Sequence, residues 1–225
     1  MGIDIGPIEV TDSLALHFDA GDVKSYPGTG TSIIGRVGGI GFTLTNGVGF
    51  GTTGTNYFIF DGVDDNIPFT VANYGSTMTL EFWARLKSLS NGMIFGFNLY
   101  DVWANSGRLG FNTAVSDIYG LSSSQVTNLG LLNQWKHYVF EMRTDVSYTN
   151  NKIYINGQNQ SLSQVAGTES DANRSFNNGA GRIGCWLYSN SFFLSMDVAQ
   201  FQVYNRALSQ QEVFQNYHAT KGRYR

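Results

Sequence analysis

Met78-Thr79-Leu80-Glu81-Phe82-Trp83-Ala84-Arg85-Leu86 alternates along its whole length. Met78, Leu80, Phe82, Ala84 and Leu86 share one face, and Thr79, Glu81, Trp83 and Arg85 share the other. Successive strand side chains point to opposite faces, so this period of two predicts a half-buried β-strand. A second segment, Trp135 to Arg143, puts Tyr138, Phe140 and Met142 on one face and Trp135, His137 and Val139 on the other. Apolar residues on both faces predict a strand covered on both sides. Shorter runs share the same grammar: Leu14–Phe18, Tyr57–Phe60, Met93–Phe97, Leu109–Phe111, Ile153–Ile155, Ile183–Leu187, Phe192–Met196 and Val198–Tyr204.

Turn residues separate these runs. Asn156-Gly157 comes directly after Ile153-Tyr154-Ile155 and suits a type I′ hairpin, in which both central residues need positive φ. Asn46-Gly47 and Asn91-Gly92 read the same way. Ser209-Gln210-Gln211-Glu212 is a capping box, with Leu208 and Val213 placed as its hydrophobic staple. It predicts one C-terminal helix of about ten residues, running to His218. Many short strands with no helix between them imply an all-β fold: a two-sheet antiparallel jelly-roll sandwich closed by that helix.

The composition agrees. Gly is 27 of 225 residues, and aromatic residues equal charged ones at 14% each, a balance that favours turns and strands over helices. The length suits one large all-β unit, and no Pro/Ser-rich linker divides it. The expected organisation is an N-terminal arm or edge strand over 1–13, then a single domain over 14–225. A net charge of −3 leaves no basic footprint for nucleic acid. No window carries the roughly 18 apolar residues of a membrane helix, so membrane insertion is not expected. Met1-Gly2-Ile3-Asp4 lacks the basic start of a signal peptide. The lone Cys185 cannot form an internal disulfide and reads as a buried small hydrophobe.

Candidate chemistry is sparse. Gly49-Phe50-Gly51-Thr52-Thr53-Gly54 matches the GxGxxG pattern, but a strand-like run comes next where a dinucleotide site needs a helix, so it reads as a loop. His17, His137 and His218 are far apart and read as structural. A retaining glycoside hydrolase needs two carboxylates about 5.5 Å apart, which one strand can carry as E-x-D-x-x-E. Here Glu169-Ser170-Asp171 leads to Arg174 in place of the third acid, within a polar loop. No enzyme is expected, with no catalytic or cofactor-binding residue. Asp61, Asp64 and Asp65 could offer oxygen ligands to Ca²⁺; the alternative, that they make tight turns between strands and no metal is bound, is preferred.

Several segments together carry a resemblance. They are Leu14-Ala15-Leu16-His17-Phe18-Asp19-Ala20-Gly21, Phe60-Asp61-Gly62-Val63-Asp64-Asp65, Thr79-Leu80-Glu81-Phe82-Trp83, Asn133-Gln134-Trp135-Lys136-His137 and Lys152-Ile153-Tyr154-Ile155-Asn156-Gly157. The last and fullest is Val198-Ala199-Gln200-Phe201-Gln202-Val203-Tyr204-Asn205-Arg206-Ala207-Leu208-Ser209. In this order they resemble the laminin-G-like, concanavalin-A-like jelly-roll domains of tailed bacteriophages, cyanophages in particular. Gln200 stands where many cellular members carry an acid, and Ser32–Gly41 is glycine-laden where the family has an Asp/Asn-rich loop.

In the phage setting the resemblance implies a non-enzymatic virion structural protein at the particle surface: a capsid decoration, head-fibre or tail-associated protein. Its partners would be other virion proteins or itself, as a homo-oligomer, with a trimer suggested by fibres and capsid three-fold axes. Ile3, Ile5, Ile8 and Val10 in the arm, with Ile33 and Ile34, are the expected assembly contacts, since an apolar extended arm can add to a neighbour. In the cellular setting the fold is often a lectin-like module. On that alternative, an adhesin recognising host surface glycans, Tyr100, Trp103, Tyr119, Trp186 and Tyr188 are the available stacking platforms.

Overall fold

The computed structural model describes residues 6–70, 73–97, 100–113, 116–168, 176 and 179–224. Among the described residues two large antiparallel sheets are present. The larger runs, edge to edge, through Gln158–Asn159, Lys152–Ile155, Trp135–Arg143, Thr77–Leu86, Met196–Tyr204, Tyr57–Phe60 and Gly49–Gly51. Met196–Tyr204 shares its outer edge between two partners: Met196–Val198 pairs with Phe58–Phe60, and Gln200–Tyr204 pairs with Leu14–Asp19. The smaller sheet runs through Ser163–Ala166, Ile118–Leu121, Arg108–Asn112, Asp101–Asn105, Asn91–Phe97, Ala180–Ile183 and Ile67–Thr70. A separate ribbon pairs Ser32–Ile34 with Gly41–Thr43.

The alternation seen in the sequence fills the space between the sheets. Met78, Leu80, Phe82, Ala84 and Leu86 are all buried, at 1% exposure or less. Phe82 stacks on Tyr138, Phe140 and Phe201 of its own sheet, with ring centroids 5.4, 5.8 and 6.2 Å away. Across the sandwich Phe201 meets Phe95 at 6.4 Å and Phe69 at 6.0 Å. Aromatic side chains of this size dominate the energetics of such a core.

The half-buried expectation for the Met78–Leu86 strand needs correction: Thr79, Glu81 and Trp83 on its outer face are buried too. The cover is the helix Gln210–Thr220 with the N-terminal segment beside it. The helix starts at Ser209, whose hydroxyl accepts from Glu212 N (3.2 Å) while the Glu212 carboxylate accepts from Ser209 N (2.8 Å). Val213 packs beneath it with Val139, Tyr154, Tyr204 and Leu208.

Other departures have local reasons. A six-residue helix, Ser123–Asn128, has its own capping box between Ser122 and Gln125. Asn91-Gly92 is not a turn but the start of the Asn91–Phe97 strand, whereas Asn46-Gly47 and Asn156-Gly157 both take the expected positive φ. Gly49–Gly51 is an edge strand rather than a loop, and it pairs with Tyr57–Phe60, the next strand in the chain. The Phe192–Met196 run becomes strand only at Met196. Its first half lies as irregular chain along the smaller sheet, where Met93 N donates to Phe192 O at 2.7 Å. No helix of the described residues is long and apolar enough to cross a membrane.

Candidate functional site

The outer face of the larger sheet carries a buried polar layer under its helical cover. Glu81 accepts from Asn216 Nδ2 (2.7 Å) through one carboxylate oxygen and pairs with His137 Nε2 (2.7 Å) through the other. Asn216 Oδ1 accepts from Val10 N at 2.7 Å, and the Tyr204 hydroxyl donates to Val10 O at 2.9 Å. Glu9 accepts from Gln200 (2.6 Å) and Gln202 (3.0 Å). Val10 is thus half-buried against its own domain, while Ile8 is 70% exposed. At the end of the helix Arg223 makes a two-point pair with Asp19, at 2.6 and 2.7 Å.

This return of the chain shapes a groove. Trp83, whose indole N–H donates to Thr220 Oγ1 at 2.8 Å, lies stacked between Tyr217 (6.0 Å) and Tyr224 (4.3 Å). Trp135, directly opposite Arg85 on the neighbouring strand, touches Tyr224 at 5.8 Å and Tyr57 at 5.4 Å. The Arg85 guanidinium sits 5.2 Å from the Tyr57 ring and 5.3 Å from the Trp135 ring. Buried Asp197 anchors it at 2.8 Å (Nε) and 2.7 Å (Nη2), and also takes Lys87 at 2.6 Å. Burial alone would lower Arg85, but Asp197 outweighs it and raises its pKa overall.

Half-buried Trp135 and buried Tyr224 thereby separate two adjoining clefts. One, of ≈ 410 Å³, is lined among others by Trp83, Asn156, Tyr217, His218 and Lys221. The second, of ≈ 360 Å³, is completed by Arg85, Asn133 and Gln134. Asn156 uses Oδ1 to accept from His137 N at 3.0 Å, and its amide nitrogen points to no partner among the described residues. An apolar aromatic wall ringed by amide, imidazole and ammonium groups suits a polyhydroxylated ligand with one apolar face.

The residues singled out from the sequence fall elsewhere. Tyr100 is buried, its hydroxyl donating to Arg143 O at 3.2 Å and meeting the Asn151 amide. Trp103 is 6% exposed, donating to Asn91 Oδ1 at 3.0 Å beneath Phe192. Trp186 is half-buried against Phe192, with Tyr188 beside it and 53% exposed. These three gather on the outer face of the smaller sheet, apart from Tyr119, whose ring meets Tyr148 at 5.0 Å. Ile33 is core and Ile34 is 58% exposed. Ile3, Ile5, Glu169 and Asp171 lie outside the described residues. Asp61, Asp64 and Asp65 come together, with carboxylate oxygens within 4.8 Å of one another. His137 is buried and bonded to Glu81, His17 meets Gln200 at 3.3 Å, and His218 joins the groove.

Trp135, Tyr224, Asn133, Gln134 and Asn156 were missed as a site. The signals present in the sequence were the Asn133-Gln134-Trp135 run and, separately, the Asn156-Gly157 turn. What joins them is Tyr224, brought back over the sheet from the far end of the chain.

Two antiparallel sheets with an aromatic core and a C-terminal helix define a concanavalin A-like sandwich. The chain belongs to the Laminin_G_3 family, of the concanavalin A-like lectin/glucanases superfamily, which it matches over residues 60–214. No curated protein matches the sequence. Among solved structures it is similar to Trypanosoma rangeli sialidase in complex with 2,3-difluorosialic acid, with a TM-score of 0.66 at 15% identity, covering 97% of this chain and 35% of that one. It is also similar to the receptor-binding domain of botulinum neurotoxin C/D mosaic serotype (TM-score 0.64, 13% identity, 93% of this chain and 52% of that one). The binding domain of Paraclostridial Mosquitocidal Protein 1 is a third (0.62, 17%, 92% and 52%). The chain therefore spans about a third of the sialidase and about half of the toxin domains, and at these identities the likeness shows the fold.

Proposed function

We propose that the protein is a non-catalytic recognition module that binds carbohydrate across Trp135. The observation that carries this reading is the groove itself: a half-buried indole braced by Arg85 and Tyr224, with Asn133, Gln134, Asn156 and Lys221 around it. A sugar ring can lay its C–H face on the indole while its hydroxyls meet the amides. The superfamily includes lectins, and toxin binding domains share the fold, which supports recognition. Support for a non-catalytic role comes from the carboxylates. None of the residues lining either cleft is an acid, and Glu81, Asp197 and Asp19 are each committed to internal partners. Hydrolysis needs two carboxylates facing the substrate.

The setting we propose is the surface of a phage particle, as an adhesin for host glycans; the resemblance of the sequence supports it. A role through protein–protein contacts, with other virion proteins or a second copy, has a separate support: Ile8 is left exposed on the segment that runs over the larger sheet.

A glycan array with the wild-type protein, Trp135→Ala and Gln134→Ala tests the groove. Gln134 is exposed and makes no side-chain hydrogen bond among the described residues, so its removal leaves the fold intact. We expect a carbohydrate class bound by the wild type, lost in Trp135→Ala and weakened about threefold to tenfold in Gln134→Ala. Binding unchanged in both variants, or absent throughout, overturns the reading. In the latter case, occupancy on purified particles after deletion of residues 1–10 tests the assembly role.

A further inference from the structure

Lys221 and Arg85 are the charged side chains along the two clefts at Trp135, His218 is the one imidazole, and no acid lines either cleft. The chain as a whole is acidic, with 17 Asp and Glu against 14 Lys and Arg, so this lining runs against its composition. Lys221 is exposed at the end of the C-terminal helix and forms no ion pair among the described residues; its Nζ lies 5.4 Å from the centre of the Tyr217 ring. Arg85 is paired with Asp197, but Lys87 shares that carboxylate at 2.6 Å. Two cations on one anion leave a positive charge uncompensated beside Trp135.

The hydrogen-bonding groups have the same sense. An ammonium or a guanidinium can only donate. Asn156 spends its Oδ1 on His137 N at 3.0 Å, which leaves its amide N–H groups to donate. Carbonyls at a helix C-terminus would oppose an anion, but here they are met from within. Asn216 O accepts from Thr220 Oγ1 at 2.8 Å, and Tyr217 O accepts from the backbone N–H of Lys221.

We propose that the carbohydrate taken by this groove is acidic: a glycan whose carboxylate or sulfate ester meets Lys221 while a sugar ring lies on Trp135. The inference rests on the groove being the binding site and adds the charge of its ligand. Carboxylate and sulfate oxygens accept without donating, which matches a lining of surplus donors, and hydrogen bonds between ionised groups are the stronger ones. The Tyr217 ring shields one side of the ammonium from water, which strengthens a pair made on the other side.

The test is a glycan array that carries acidic glycans beside their neutral counterparts: uronates beside their methyl esters, and sulfated beside desulfated chains. It is probed at about 50 mM and about 500 mM NaCl with the wild type, Lys221→Gln, Lys221→Glu, Lys221→Arg and Trp135→Ala. Lys221 is exposed, so its variants should melt with the wild type. We expect the acidic member of a pair to be preferred, the uronate and sulfate arms showing which anion is read, and binding to fall about threefold or more at the higher salt. Lys221→Gln should weaken it about threefold to tenfold, Lys221→Glu more than that, and Lys221→Arg should keep it. Acidic and neutral members bound alike, or acidic glycans bound with no loss in Lys221→Gln, overturns the acidic ligand; loss in Trp135→Ala would then still place carbohydrate in the groove. Binding unchanged in Trp135→Ala, or absent throughout, overturns both.

Discussion

Asn216, on the C-terminal helix, donates to the carboxylate of Glu81 at 2.7 Å across 135 residues of sequence. Its carboxamide is spent completely inside the fold, because it also reaches the Tyr204 hydroxyl at 3.1 Å and accepts from Val10 N. One side chain thus ties the helix, two strands and the N-terminal segment into one buried polar layer.

Asn216→Ala leaves the Glu81 carboxylate and the Val10 amide short of a partner each. Orphaned buried groups cost about 1–3 kcal/mol each, so a loss of about 2–4 kcal/mol is expected. Urea denaturation measures it; a change under about 0.5 kcal/mol would mean that water or the helix compensates.

Acid should loosen the start of the same helix. Two-point pairing with Arg206 and the amide of Ser209 hold the Glu212 carboxyl at about 2, against an ordinary 4.5. A depressed carboxylate contributes stability that is present above 4.5 and is lost as pH falls towards 2. With solvent screening this is about 1 kcal/mol. Stability of the wild type and Glu212→Gln, compared from pH 7 to pH 2, should converge at the acid end; a constant gap would refute the linkage.

Glu9 has the opposite sign. Burial raises its pKa, the hydrogen bond from Gln200 opposes this, and the nearby Glu81 charge adds to it. A raised carboxyl destabilises the fold as pH climbs above 4.5 through its folded value. Glu9→Gln keeps an acceptor for Gln200 and Gln202 and removes the charge. It should melt higher than wild type at neutral pH, with the advantage vanishing below pH 4.5; equal melting at pH 7 would count against this account.

Arg85→Met removes the one side-chain hydrogen bond to fully buried Asp197 and one of its two ion pairs, leaving the Lys87 ion pair alone. We expect a cost of about 2–4 kcal/mol in chemical denaturation, and weaker ligand binding because Trp135 loses its brace. Arg85→Lys restores the charge but not the flat two-point contact, so its recovery should be partial. Full recovery by Lys would show that charge alone matters at this position.

The alternation of Met78–Leu86, the Asn156-Gly157 turn and the Ser209–Glu212 cap were legible in the sequence and hold in the structure. Each depends on residues a few positions apart: the pleat, two positive φ angles, one reciprocal pair of hydrogen bonds. The Ser122–Gln125 cap was equally local, yet its helix is too short for periodicity to mark. What only the tertiary structure decided is which outer faces are covered. Thr79, Glu81 and Trp83 look like a solvent face by pattern and are buried because Asn216, Tyr217 and Tyr224 return over them from the other end of the chain. The groove at Trp135 arises in the same way, from Tyr217 and Tyr224 brought back over the sheet. Periodicity reports the two faces of a strand; what packs on each face is set by the closure of contacts that no local window contains.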